Sequence, residues 1–331
     1  MLRNIALVLL FLVVVSVAAL LVVKHQADKN FYAGYSADYP LKAEEQEAEP
    51  VEGTVKAFGQ LLPARYNRQR FSFESEPGER VPALIATPLN PPEAPLPVII
   101  LVHGSHQEKE FLEEICTPFN EAGFAMVCFD QYMRGDRKPP EGVFGAAIAF
   151  RDRCRKTVHE IQRMIDYLET RPDIDSTRVY LVGASYGAIT GTVAVARDKR
   201  IRAAVLVVGG GNYRLLSKAP EVREAIPWWV QPLTAPLMIL LAGPADPVLH
   251  AAETAGTPVL MLNGSKDRVV VPEAGKALYN ALGEPKEIRW YPVNHPDREE
   301  NGKEVIRMLD DGLAWLVEQD KKQQAEKQAA P

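Results

Sequence analysis

The sequence predicts an α/β fold: a mostly parallel central sheet with helices on both faces and a cap-like insertion. Short, nearly continuous apolar runs bounded by turn residues alternate with longer segments whose apolar residues recur every three to four positions. One such run, VYLV, feeds the turn GASYG and then a stretch of small residues, a strand, sharp turn and slim helix in succession. With 331 residues, 47% hydrophobic and 24% charged, the chain can bury one substantial core.

The elements follow in order. RQRFSFES and VPALIAT, linked by the turn-rich EPGER, read as an antiparallel strand pair. The strand PVIILV, the helix EKEFLEEICTPFNEAG and the strand FAMVCFD form the first crossover unit. A long helix from about Ala146 to Glu169 carries Val158, Ile161, Ile165 and Leu168 on one face, and RPDIDSTR ends it. After the GASYG unit come the strands IRAAVLVV, PVLMLNG and KEIRWYP, then a helix from about Glu299 through Trp315. This body spans residues 56–318. Within it, residues 209–256 separate two strands by far more than one crossover helix needs, and Trp228 and Trp229 lie between Pro227 and Pro232. Such a segment is expected to fold as a cap and help shape an acyl or aromatic pocket.

The two ends differ from the body. Ile5 to Val23 is apolar apart from Ser16 and would span about 28 Å as a helix, so residues 1–23 are expected to be an N-terminal membrane anchor or a cleaved signal segment. Either would place the body outside the cytoplasm, with the membrane as a partner. Residues 24–55 read as a polar stalk, and residues 319–331 as a charged flexible tail with no apolar stripe. A net charge of −5 and the lack of a basic stripe exclude a nucleic-acid partner. Cys116, Cys128 and Cys154 are odd in number and lack Cys-x-x-Cys spacing, so buried free thiols are expected.

Chemistry gathers at the carboxyl ends of the strands. Ser185 at the tip of GASYG is a candidate nucleophile, which needs an imidazole to take its proton and a carboxylate to orient that imidazole. His295, just past the strand IRWYP, and Asp267, just past VLMLNG, stand in the loops that could supply them. Asp297 is the rival acid, two residues from His295 and poorly placed to reach the far side of its ring. Backbone N–H groups of Tyr186 and of Ser105, or alternatively of His106, would receive developing negative charge. His103 is expected to hold that loop rather than to act as a second base. Arg134 would bind a substrate carboxylate or pair with Asp130 or Asp136. The spacing of His and acidic residues supports no metal site, and no cofactor is expected.

The segments HGS at 103–105, GASYG at 183–187, DPVLHA at 246–251, TPVLMLNGSKDRVV at 257–270 and NHPD at 294–297 resemble the α/β-hydrolase superfamily. The branch they resemble comprises dienelactone-hydrolase-like, acetyl-xylan-esterase-like and prolyl-oligopeptidase-like domains, and the likeness covers about Phe71 to Leu316. It implies a serine hydrolase working through an acyl-enzyme, with Ser185, His295 and Asp267 as the triad and the HGS loop completing an oxyanion hole. Two departures stand out. DQYMRGDRKPPEG replaces the loop pattern of several deacetylases, and Ser185 stands where a dienelactone hydrolase would carry cysteine. The expectation is hydrolysis of small or medium acyl or aromatic carboxylic esters. The alternatives are a peptidase or amidase with the same triad, or a non-catalytic membrane-tethered binding protein that retains the fold.

Overall fold

The computed structural model describes residues 22–137, 143–296 and 302–329, and the chain divides into two units, residues 1–34 and 35–331. In the first unit, residues 22–29 are helical (α1), with Lys24 paired to Asp28 one turn on. The Phe31 and Tyr32 rings meet edge to face at 4.7 Å. The expected membrane span is corrected here: among the described residues no helix is long and apolar enough to cross a membrane. Of the expected span only residues 22 and 23 are described, and the helix they open goes on through Lys24, Asp28 and Lys29, a charge density that opposes burial of α1 in hydrocarbon. Residues 1–21 lie outside the described residues.

The second unit is built on one ten-stranded sheet among the described residues. Its strands are β1 (Glu44–Glu45), β2 (Glu49–Ala57), β3 (Gln60–Glu76), β4 (Glu79–Thr87), β5 (Leu96–Val102), β6 (Ala125–Phe129), β7 (Ile174–Ala184), β8 (Ile201–Val207), β9 (Val259–Gly264) and β10 (Lys286–Tyr291). They lie in the order β1-β3-β4-β6-β5-β7-β8-β9-β10, with β2 also on β3. Pairing is parallel from β6 across to β10 and antiparallel among β1 to β4 and between β4 and β6. β5 and β6 are buried along their whole length, as strands covered on both faces must be.

Helix α2 (Phe111–Glu121) and helix α9 (Gly302–Ala329) cover one face. There Leu112, Ile115, Phe119, Met308 and Leu316 pack on alternate strand residues, Ile99 and Leu101, Tyr180 and Val182, Val205 and Val207, Leu260 and Leu262. Helices α3 (Val143–Leu168), α4 (Tyr186–Arg197) and α8 (Pro272–Ala281) cover the other. The excursion between β8 and β9 folds as α5 (Tyr213–Leu216), α6 (Pro220–Glu224), α7 (Gln231–Ala242) and three 3₁₀ turns. Met238, Ile239 and Ala242 of α7 pack with Ile189, Val269 and Val270, so the insertion sits beside the carboxyl edge of the sheet.

Both expected flexible ends are more ordered than their composition suggests. Within the expected stalk, Glu44–Glu45 and Glu49–Ala57 are strands on β3, and nine residues of β2 pair there in unbroken register. These strands are mostly exposed, so a backbone ladder and ion pairs such as Arg68 to Glu49, at 2.6 Å, hold them together with the packing of Val51, Val55 and Ala57 on the core. The expected tail continues α9 to Ala329. Its anchor is Asp320, which accepts Arg178 Nε at 2.8 Å, Arg178 Nη2 at 2.6 Å and the buried Tyr180 hydroxyl at 2.8 Å. Those contacts hold the Asp320 carboxyl below its ordinary range against the opposing effect of burial.

Replacing Asp320 with alanine should destabilise the protein by about 1–3 kcal/mol, since it leaves a part-buried guanidinium and hydroxyl without their acceptor. Urea unfolding measures this. A chain ending at Glu318 should show a similar loss, and unchanged stability in both would refute the anchor.

Candidate active site

The site begins with a turn that only glycine permits. Ser185 has φ 54° and ψ −114°, a strained backbone conformation that lifts its side chain clear of β7 and α4. A Cβ on Gly187 would lie 1.8 Å from the Val102 carbonyl oxygen, and one on Gly183 would lie 2.5 Å from the Gly187 carbonyl oxygen. The two glycines therefore let α4 start directly against the ends of β5 and β7. The Ser185 N–H donates to the Val207 carbonyl at 2.9 Å, tying the turn to β8 as well.

Ser185, Asp267 and His295, predicted from three separate loops, meet here. His295 Nε2 lies 3.0 Å from Ser185 Oγ, and Nδ1 lies 2.8 Å from Asp267 Oδ2. A carboxylate can only accept from that ring, so Nδ1 carries the proton and Nε2 is free to accept the serine hydroxyl. Asp267 is buried, and its other oxygen accepts the Val269 N–H at 2.8 Å and the Val270 N–H at 2.7 Å. That double contact fixes the carboxylate plane. The loops bearing the acid and the imidazole are bound together by Lys266 N–H to the Val293 carbonyl at 3.0 Å and by Arg268 N–H to Asn294 Oδ1 at 3.0 Å. Asp297 lies outside the described residues.

The HGS loop faces this triad from the end of β5. His103 is fully buried and donates from Nδ1 to the Gly104 carbonyl at 2.8 Å, as expected of a residue that holds the loop. The Gly104–Ser105 peptide is planar, so this bond also fixes the direction of the Ser105 N–H. Burial lowers the His103 pKa to about 4, and the ring is neutral near pH 7. The Gly104 N–H is taken by Gln107 Oε1 at 2.9 Å, whereas the Ser105 N–H has no acceptor among the described residues. Tyr186 supplies the first N–H of α4, a position with no intrahelical acceptor. Ser105 Oγ and His106 Nδ1 are 2.9 Å apart at the exposed edge of the loop.

The remaining predicted pocket residues are placed differently. Arg134 pairs with neither Asp130 nor Asp136, because Lys109 Nζ occupies both at 2.9 and 2.8 Å. Arg134 has no carboxylate partner among the described residues, and its buried Nε is unbonded. Trp228 and Trp229, expected to help shape an acyl or aromatic pocket, are 80% and 65% exposed. They precede α7 at the outer side of the insertion, whose inner side is the one that packs. Cys116, Cys128 and Cys154 are buried free thiols, with burial raising each pKa.

Several supporting residues escaped the sequence reading. Asp246 anchors the insertion by accepting the N–H groups of Asn212, Tyr213 and Val248 at 2.9, 2.8 and 3.2 Å. Its place before a proline was a turn signal that could have marked it. Gln131 donates to the His103 carbonyl at 2.8 Å and accepts from Arg153 Nη2 at 2.6 Å. No local pattern identifies that link, because Arg153 and Gln131 sit on different elements.

Comparison with known proteins adds a family to this geometry. The model of the dienelactone hydrolase family matches residues 81–305. A curated protein of Bacillus subtilis (strain 168), "Putative esterase YitV", is 26% identical over 196 residues, covering 56% of this chain and 74% of that protein. Acetyl xylan esterase 1 from Thermoanaerobacterium sp. JW/SL YS485 aligns at TM-score 0.63 and 19% identity over 86% of this chain and 93% of its own. The acetyl xylan esterase from Paenibacillus sp. R4 aligns at TM-score 0.61 and 18% identity over 86% and 92%. At these identities the two structures establish the α/β-hydrolase fold.

The depressed His103 pKa makes a signed prediction. Between about pH 4 and 6.5 the unfolded chain binds a proton at this position that the folded chain refuses, so its contribution is complete above pH 6.5 and is lost as pH falls. From pH 7 to pH 5 the loss should be about 2 kcal/mol. His103→Asn should reduce the pH dependence of denaturant-measured stability by that amount, and identical slopes for both proteins would contradict it.

Proposed function

Because the chain belongs to the dienelactone hydrolase family, we propose that it is a serine hydrolase cleaving carboxylic esters of small or medium acyl or aromatic substrates through an acyl-enzyme. The observation that carries this reading is the continuous chain from Ser185 Oγ through the His295 ring to Asp267, at 3.0 and 2.8 Å, on a turn strained in the sense that exposes the nucleophile. The esterase names of the bacterial relative and of the two solved structures agree with an ester as substrate.

In the proposed reaction Ser185 Oγ attacks the ester carbonyl carbon while His295 Nε2 takes the hydroxyl proton. Asp267 keeps the imidazole in the required tautomer and stabilises the cation formed. The carbonyl oxygen becomes an oxyanion received by the Ser105 and Tyr186 N–H groups, with the positive end of α4 behind the second. Collapse expels the alcohol, which leaves with the proton from His295, and the acyl group stays on Ser185. His295 then takes a proton from water, whose oxygen attacks the acyl carbon, and the acid is released as the serine recovers its proton. The Asp267 geometry matters most in the charged steps, where a carboxylate already fixed by two backbone donors needs no reorientation.

Ser185→Ala should abolish both labelling by a fluorophosphonate probe and hydrolysis of p-nitrophenyl acetate. Asp267→Asn should keep the fold yet lower kcat by about 10³–10⁴-fold. Folded wild-type protein that shows no Ser185-dependent labelling would overturn the reading.

A further inference from the structure

Five cationic side chains are buried among the described residues: Lys109, Arg137, Arg153, Lys156 and Arg163. Four have carboxylates: Asp130 and Asp136 for Lys109, Glu160 and Glu79 for Arg137, Glu79 for Lys156 and Asp166 for Arg163. Arg153, on α3 and only 2% exposed, has no carboxylate partner among those residues. Glu160, two turns along the same helix, is committed to Arg137. A buried guanidinium without a counter-ion is unfavourable by several kcal/mol unless something else offsets it. Its three contacts show where that effort is directed. Nη2 donates to Gln131 Oε1 at 2.6 Å, Nη1 reaches the Ser105 carbonyl at 3.4 Å, and Cζ lies 4.2 Å from the centre of the Tyr186 ring.

We propose that Arg153 is a positioning residue for the oxyanion hole: one guanidinium locks the two segments that supply its N–H donors and places behind them a positive charge that no carboxylate among the described residues pairs with. On the β5 side, its bond to the Ser105 carbonyl orients the Ser105–His106 peptide. Through Gln131 it also holds the His103 carbonyl, 2.8 Å from Gln131 Nε2, so the loop is gripped on both sides of Gly104. On the β7 side, the cation lies over the ring of Tyr186, the residue whose amide opens α4. The direct counter-ion that Arg153 lacks among the described residues would arrive as the substrate oxyanion, so the stabilisation grows as the transition state forms. Burial lowers the Arg153 pKa, with Arg134 adding to that effect and Tyr186, Cys154 and the more distant Glu160 opposing it, yet a guanidinium remains protonated in the working range.

This inference rests on the serine hydrolase reading, and the test separates the two. A phenylboronic acid, which forms an anionic tetrahedral adduct on a serine nucleophile, is titrated against wild-type, Ser185→Ala, Arg153→Met, Arg153→Lys and Gln131→Glu proteins, alongside ester kinetics. Thermal unfolding reports which variants are folded. Arg153→Met should lower kcat by about 10–100-fold with KM nearly unchanged, and weaken boronate binding in parallel. Arg153→Lys, which keeps the charge without the fork, should recover part of both. Gln131→Glu leaves Arg153 in place but gives it a carboxylate and removes the donor to His103, so it should lower kcat even if Arg153→Met does not fold. Equal boronate affinity and kcat in wild type and the folded variants would overturn the proposal while Ser185-dependent capture still supported the hydrolase reading. Wild-type protein that captures no boronate and hydrolyses no ester would overturn both.

Discussion

The start of α4 against the Val102 carbonyl is the constraint on which the rest of the active site depends. With no side chain at Gly187, the helix begins where a single methyl group would fall 1.8 Å from a backbone oxygen, and Gly183 removes the other obstruction. That approach forces the positive φ at Ser185, and the sheet holds the strain in place through the Ser185 N–H bond to Val207. It also fixes the distance from the Tyr186 amide to the HGS loop, because Val102 is the last residue of β5 and His103 follows it. The Ser185 side chain, the start of α4 and the HGS loop are thus set by the meeting of β5, β7 and α4. His295 and Asp267 then need only come from the next two strand ends in the same sheet.

A second regularity is the use of carboxylates as loop clamps along that edge. Asp267 binds two backbone N–H groups beside the triad, Asp246 binds three at the base of the insertion, and Asp130 binds the Lys109 and Asp136 N–H groups after β6. Backbone donors in irregular loops have no ladder partner, and a short acidic side chain satisfies several at once. Only at Asp267 does the second oxygen face an imidazole. Arg153 works in the opposite sense among these clamps. It serves carbonyl and amide oxygens and an aromatic ring, and has no carboxylate partner among the described residues.

Much of this was legible in the chain. Continuous apolar runs identified the buried parallel strands, and the small residues of GASYG identified the elbow because steric exclusion leaves a compositional mark. His295 and Asp267 were found because each lies directly after a strand, and in a parallel sheet all such positions share an edge. Other features left no mark. The residues of β2 look like a solvated lead-in because only Val51, Val55 and Ala57 pack on the core and the rest are held by backbone pairing with β3, to which polar side chains are indifferent. The end of α9 looks like a tail because one aspartate, reached by Arg178 and Tyr180 far back in the chain, holds it. Arg134 could bind a substrate carboxylate or pair with Asp130 or Asp136 as the sequence reads, but Lys109 reaches both aspartates from just before α2, which sequence distance concealed.

By itself, the sequence determined the α/β sheet, the strand-turn-helix around Ser185 and which acid and imidazole meet that serine. Each follows from local sterics or from the periodicity of burial, which operate within a few residues. Only the tertiary structure decided that the two tryptophans of the insertion stand in solvent, that His103 is buried enough to stay neutral, and that Arg153 touches the Ser105 carbonyl and the Tyr186 ring with no carboxylate partner among the described residues. Those outcomes depend on which distant side chains share a small volume of low dielectric. In such a volume the strength of a charge is set by its surroundings, and the surroundings exist only once the sheet has brought β5, β6, α3 and α4 together.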